Sequence, residues 1–256
     1  LSGGAGNDTF TMAGNLTSAD TIDGGAGTDT LSVSGTLLDA AFTKVTNVET
    51  LLLSTTGNVT LGSIGQAAGI NAVTLNSTTV DTITVGATYT GAITVTQTSA
   101  TDADQISAAG SAAALTVQSS LATGLGATAA GNLYTGGTGT NDTINLKVAT
   151  GTAITQAANT GITGFEKIVV SGVTDQNVSI TLADQNIGAA KAMTIDGSAL
   201  TTGGLTVVGT AELDGSLTVI GGGAADAITG TASTSGDNLS GGAGNDTFTM
   251  AGNLTS

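Results

Sequence analysis

Apolar and polar positions alternate in short bursts along this chain, and Gly, Asn, Asp or Ser bounds each burst. The stretches "DTLSVSG" from Asp29, "NAVTLNS" from Asn71, "DTITVG" from Asp81 and "GAITVTQT" from Gly91 show it. So do "EKIVVSG" from Glu166, "NVSITL" from Asn177 and "LTVVG" from Leu205. A period of two built from β-branched residues predicts strands of about four to seven residues with one face turned inward. Only Leu37–Val45 and Ala183–Ala192 read as helical, and both are short. The pattern predicts an all-β chain.

The strands recur. "VTNVETLLLS" at Val45 lines up with "ITGFEKIVVS" at Ile162, "AVTLN" at Ala72 with "AMTID" at Ala192, and "GAITV" at Gly91 with "GSLTV" at Gly215. These offsets run from 117 to 124 residues. On a larger scale, "LSGGAGNDTFTMAGNLTS" occupies Leu1–Ser18 and again Leu239–Ser256. The expectation is a window on a tandem array with a period of 238 residues, each unit itself an old duplication. Nested short strands between Gly-rich turns point to a parallel β-solenoid, in which each coil buries its apolar face on the next. A β-sandwich is the rival, but it usually carries larger core residues and gives no reason for regularly spaced glycines.

Composition sharpens this picture. There are 40 Gly, four Phe and two Tyr, and no Pro, Cys, His or Trp. Small residues suit a narrow solenoid core, and the lack of Cys excludes disulfides and thiol chemistry. Acids outnumber bases 19 to 4. Nucleic acid and anionic membrane surfaces are therefore poor partners, and cations are favoured ones. No apolar run is long enough to cross a bilayer, so membrane insertion is not expected. Ser and Thr are abundant, but without His nothing activates them as nucleophiles.

One motif carries chemistry: G-G-x-G-x-D-x-U-x, with U a large apolar residue. It is complete at Gly3, Gly4, Gly6, Asn7 and Asp8, at Gly24, Gly25, Gly27 and Asp29, and at Gly241, Gly242, Gly244, Asn245 and Asp246. A partial copy runs from Gly221 to Asp226. Another, with one inserted residue, has Gly136, Gly137, Gly139 and Asp142. D-x-U remnants start at Asp20, Asp104 and Asp237. Glycines permit turns that aim carbonyl oxygens at one point, Asp adds a charged hard oxygen, and U anchors the turn inward. With no His or Cys, an oxygen-only site suits Ca²⁺. Asp8 and Asp29 are 21 residues apart, and Asp226 and Asp246 are 20 apart, which is one coil of two nonapeptides. Asp237 finds a matching acid only in the Asp20 of a following copy. Ordinary Asp-Gly turns are the plain alternative. In the middle block, where Asp104 and Asp142 are separated by Asn132 and Asn141, a metal-free turn remains open beside a metal site.

Other acids have weaker cases. Asp102 and Asp104 could share a strand face, but no cleft is implied for an acid–base pair. Glu49 and Glu166 hold matching places in the two halves and read as corner or surface residues. "NLT" and "NVT" could accept glycans, yet arise easily by chance in such turns.

The nonapeptide resembles the calcium-binding repeat of the RTX family. Together with Thr/Val/Ala-rich strands and "NVETL", it looks like bacterial surface-layer and giant tandem-repeat surface proteins. The resemblance implies Ca²⁺ as cofactor, type I secretion, folding outside the cell, an extracellular or cell-surface location and no enzymatic activity. It implies further copies of the chain as partners, with any cell-surface glycan anchor outside this window. The domains expected are an RTX block at 1–34, half-unit A at 35–106, a degenerate middle block at 107–147, half-unit B at 148–220, and a block at 221–256 continuing into the next copy. The function expected is a calcium-stabilised structural repeat of a secreted fibre or surface layer. The alternatives are an adhesin or ice-binding stalk, favoured if Thr ladders such as those at Thr82 and Thr94 are contiguous, and the secretion module of an exported enzyme.

Overall fold

A computed structural model describes residues 1–98, 103–119, 132–151, 153–158, 160–172 and 174–251. Asp102 and the last five residues of the second "LSGGAGNDTFTMAGNLTS" lie outside the described residues. Two compact units are distinct, one within Leu1–Val117 and Leu133–Gly139, the other within Gln118–Asn132 and Thr140–Ser256. Each is a parallel β-solenoid.

In the first unit, Ser2–Ala5, Ile22–Ala26 and Val45–Thr46 form one parallel face. Thr9–Ala13, Thr30–Leu37, Thr50–Leu61, Ala72–Leu75 and Ile93–Gln97 form a second. The strand Thr50–Leu61 turns a corner. Its first residues pair with Ala72–Leu75, and its last with Thr82–Val85, which continues to Gln105–Ser107 and Leu133–Thr135. In the second unit, Thr143–Val148, Lys167–Gly172, Ala192–Asp196, Ser216–Ile220 and Asn238–Ser240 stack on one face. Ile154–Gln156, Val178–Thr181, Leu205–Val208, Ala227–Thr229 and Thr247–Thr249 stack on another.

Alternation explains why the coils stack in register. In "TITV" at Thr82 and "VSIT" at Val178, every second residue is buried. Registered pairing then places like on like. Phe10, Leu31, Leu51, Val73 and Val95 form one apolar column, and Val59, Ile83, Ile106 and Tyr134 another. In the second unit Ile144, Ile168, Ile195, Val219 and Leu239 do the same. A one-residue slip would turn a whole column to solvent, so register is strongly specified. Each buried Leu, Ile or Val contributes about 1.5–3 kcal/mol.

The helical expectations are partly corrected. Within Leu37–Val45 only Asp39–Phe42 forms a 3₁₀ turn, and within Ala183–Ala192 only Asp184–Asn186 does. The α-helix Ser63–Ala67 was not anticipated. It is five residues long, too short to show a helical period, and it is capped from another coil. Asp39 Oδ1 accepts the amides of Gly62 at 2.7 Å and Gly65 at 2.8 Å, and Asp39 Oδ2 accepts that of Ile64 at 3.1 Å. These bonds satisfy donors that the helix itself leaves open.

Tyr89 supplies a pH test of the interior. It is fully buried, and its hydroxyl donates to the Ile70 carbonyl at 2.5 Å. Burial pushes the phenol up to about 12. Tyrosine in the unfolded chain ionises near pH 10, so between about pH 10 and 12 the unfolded state loses protons first. Stability should therefore fall as pH rises through that window, by up to about 2–3 kcal/mol from this residue. Urea denaturation at about pH 9 and about pH 11.5 should show a smaller drop for Tyr89→Phe than for the parent.

Candidate metal centre

A turn leading into a parallel strand leaves one amide pointing along the stack with no strand carbonyl opposite. Acids fill that gap at eight places among the described residues. Asp8 N–H donates to Asp29 Oδ1 at 2.7 Å, and Asp29 N–H to Glu49 Oε2 at 2.8 Å. Asp226 N–H donates to Asp246 Oδ1 at 3.0 Å, and Leu205 N–H to Asp226 Oδ1 at 2.7 Å. Leu217 N–H reaches Asp237 Oδ1, Gly57 N–H reaches Asp81 Oδ1, Asp81 N–H reaches Asp104 Oδ1, and Asp142 N–H reaches Glu166 Oε2, all within 2.7–2.9 Å. Each carboxylate thus accepts the amide of the residue it stacks on. Hydrogen bonds to a charged acceptor are worth about 1.5–3 kcal/mol each.

The second carboxylate oxygen separates the blocks. Asp226 Oδ2 accepts the Gly222 amide at 2.8 Å, and Asp237 Oδ2 accepts the amide and hydroxyl of Thr231. Asp81 Oδ2 takes the Ser77 hydroxyl, and Asp104 Oδ2 takes the Gln97 side-chain amide at 3.2 Å. Asp8 Oδ2 and Asp29 Oδ2 are buried and have no hydrogen-bond partner. No lysine neutralises them; among the described residues the one ion pair is Lys167 with Asp196, 3.0 Å apart.

The glycines shape this pair of turns. A Cβ on Gly3 would meet both Asp8 Oδ2 and the Gly24 carbonyl. One on Gly24 would meet Asp29 Oδ2 and the Asn47 carbonyl. Gly221 and Gly241 sit in the same way against their own Asp226 and Asp246 carboxylates. The second and third glycines of each complete motif have positive φ: Gly4 and Gly6, Gly25 and Gly27, Gly242 and Gly244. The Asn7 side-chain carbonyl accepts the Thr28 amide at 2.9 Å and so braces the turn below; Asn7 and Asn245 are both exposed. Each first glycine therefore makes room for the free carboxylate oxygen of its own turn, Gly3 for Asp8 Oδ2 and Gly24 for Asp29 Oδ2. Asp8 Oδ2 and Asp29 Oδ2, unpaired and buried on successive coils, are the oxygens that could hold a hard divalent cation in this block.

The remaining candidates differ. Asp20 accepts the Thr17 amide at 2.8 Å and the Thr17 hydroxyl at 2.9 Å, which hold its carboxyl below the usual range. It closes its own turn. The degenerate copy at Gly136 is divided, with Gly136, Gly137 and Gly139 in the first unit and Asp142 in the second. None of its glycines has positive φ, nor has Gly221. Asn132 is buried with neither side-chain atom partnered. The sequence reading missed Glu49 and Glu166 as members of the acid ladder. The signal was present in their spacing of about one coil from the preceding acid, 20 residues from Asp29 to Glu49 and 24 from Asp142 to Glu166. Asp81 was missed too, although "DTITV" carries the D-x-U pattern.

Fold and acid ladder together define a parallel β-solenoid whose coils are tied by stacked carboxylates. Compared with known proteins, the chain matches no family model, no curated protein and no solved structure.

Proposed function

We propose that this chain is a calcium-stabilised structural repeat of a secreted bacterial surface assembly, a fibre or a surface layer, without catalytic activity of its own. The observation that carries this reading is that one eighteen-residue sequence presents opposite edges at its two occurrences. At the first, Ser2, Gly4 and Ala5 pair with Asp23, Gly25 and Ala26, and Phe10 pairs with Leu31. At the second, Leu239 and Ser240 pair with Val219 and Ile220, and Phe248 pairs with Ile228. A single copy of the segment using both edges would join one repeat to the next with no break in the ladder. The acids join as well: Asp226, the shared aspartate, Asp29 and Glu49 become one column.

Calcium is the proposed clamp of that column, held by Asp8, Asp29 and glycine carbonyls. Binding to the folded stack alone makes metal a folding ligand, which suits a chain that folds outside the cell. The RTX and surface-layer resemblance of the motif supports the same reading and the extracellular location. The stalk alternative draws on the hydroxyl column Thr60, Thr84, Ser107 and Thr135, contiguous over four coils. Its neighbour, Asn58, Thr82, Gln105 and Leu133, is mixed, so the ladder is one residue wide.

The test is a two-copy chain studied with Ca²⁺ and with a chelator. Calcium should raise the unfolding temperature and protect the junction amides from hydrogen exchange, and Asp8→Asn with Asp29→Asn should weaken that response at least tenfold in calcium concentration. Identical stability and exchange in chelator would sink the proposal.

A further inference from the structure

We infer that Asp184, Glu212 and Asp214 form a second cation site, of the calcium class, outside the nonapeptide turns. Asp184 opens the 3₁₀ turn after the strand Val178–Thr181. Glu212 and Asp214 lie in the turn between Leu205–Val208 and Ser216–Ile220, one coil further on. One oxygen from each of the three carboxylates lies within 4.8 Å of the others.

Acidic side chains often gather on a surface with no consequence, and the burial of Glu212 is what makes this cluster different. Glu212 is 0% exposed. Its Oε1 accepts the amides of Asp214 at 3.1 Å and Gly215 at 2.7 Å, which fix the carboxylate in place. Its Oε2 is buried and has no partner. Asp184 is positioned across the coils, because its Oδ1 accepts the Leu213 amide at 3.0 Å. Asp214 is exposed and leaves an open side for water. No lysine pairs with the cluster among the described residues.

A buried carboxylate with an unsatisfied oxygen is costly, and two neighbouring acids raise that cost further. A hard divalent cation relieves both, taking one oxygen from each acid and completing its shell with water. The donor set contains only oxygen, so softer metals such as Zn²⁺ gain nothing specific here. The bound ion would pin the 3₁₀ turn to the loop of the next coil, a clamp on the face opposite in kind to the glycine turns. A proton shared between Glu212 and a neighbouring aspartate is the rival way to relieve the repulsion.

Paramagnetic Mn²⁺, added below one equivalent to the ¹⁵N-labelled full chain near neutral pH, should broaden the amides of Leu213, Asp214 and Gly215. Excess Ca²⁺ should restore them. Asp184→Asn with Asp214→Asn should abolish that broadening and remove one equivalent from the calcium stoichiometry. Asp8→Asn with Asp29→Asn should leave both readouts at Leu213–Gly215 intact, which separates this site from the proposed junction clamp. The inference is overturned if the three amides stay sharp, if the double variant broadens like the parent, or if the Glu212 carboxyl ¹³C shift is that of a protonated acid in saturating calcium.

Discussion

Gly24→Ala is expected to destabilise the first block by about 3 kcal/mol, although it adds a single methyl group. The new Cβ would fall on the Asn47 carbonyl of the next coil and on Asp29 Oδ2. Both residues are held, Asn47 by its side-chain amide on Asp23 Oδ1 and Asp29 by the Asp8 amide on its Oδ1. Relief requires the coils to part, and with them the space between Asp8 and Asp29. Gly4→Ala makes the comparison. Its φ is +96°, and a Cβ there would meet nothing within 4 Å. That change carries left-handed backbone strain alone, about 1–2 kcal/mol. Urea midpoints of the two variants, with and without Ca²⁺, separate the effects. Gly24→Ala should lose its calcium response, and Gly4→Ala should keep it. Equal midpoints would mean that the coils do not approach so closely.

Phe10→Ala and Phe248→Ala should differ sharply even though the two residues share their flanking sequence. Phe10 is 9% exposed over Leu31, and its truncation should cost about 3–4 kcal/mol. Phe248 is 48% exposed over Ile228, and its truncation in the chain of 256 residues should cost under about 1 kcal/mol. In a two-copy chain joined through the common segment, the junction phenylalanine would contact both kinds of neighbour. Its truncation should then cost as much as that of Phe10. Thermal or urea denaturation of the two single-copy variants and the two-copy variant, each beside its own parent, checks this. A junction phenylalanine that stayed inexpensive to remove would argue that consecutive copies do not share one stack.

The parallel stacking was legible in the sequence because two independent periods agree. Alternation at Thr82–Val85 or Val178–Thr181 sets which residues face inward, and the spacing of Asp8 to Asp29 sets the length of a coil. Position along the coil was therefore readable wherever an acid preceded an apolar residue by two. Function at that position was less readable. Asp, Glu and even Gly57 or Leu205 occupy the same register, and only the three-dimensional stack shows that the acid's task is to receive a neighbour's amide. The distinction between Asp29, with an oxygen to spare, and Asp226, with none, depends on whether a turn amide such as that of Gly222 bends back. No residue type announces that. Asp39 serves a helix of five residues on a different coil, and Asp184 meets Glu212 across a full coil with no repeat motif to mark either. Such contacts come from how far each turn protrudes, which period and composition do not encode.

All the registered strand pairs described above run the same way, so the two rims of a coil are chemically unlike. The rim left open at Gly3 and Asp8 faces away from the Gly24–Asp29 coil, and the rim left open at Leu239 and Phe248 faces away from the Val219 and Ile228 strands. The in-register joint proposed above, one kind of rim on the other, is heterologous and has a direction. An array built by that proposed joint has no internal stopping point. In such a proposed array, termination would fall to something chemically different at one extremity, a capping coil or an anchoring surface that consumes the last open rim.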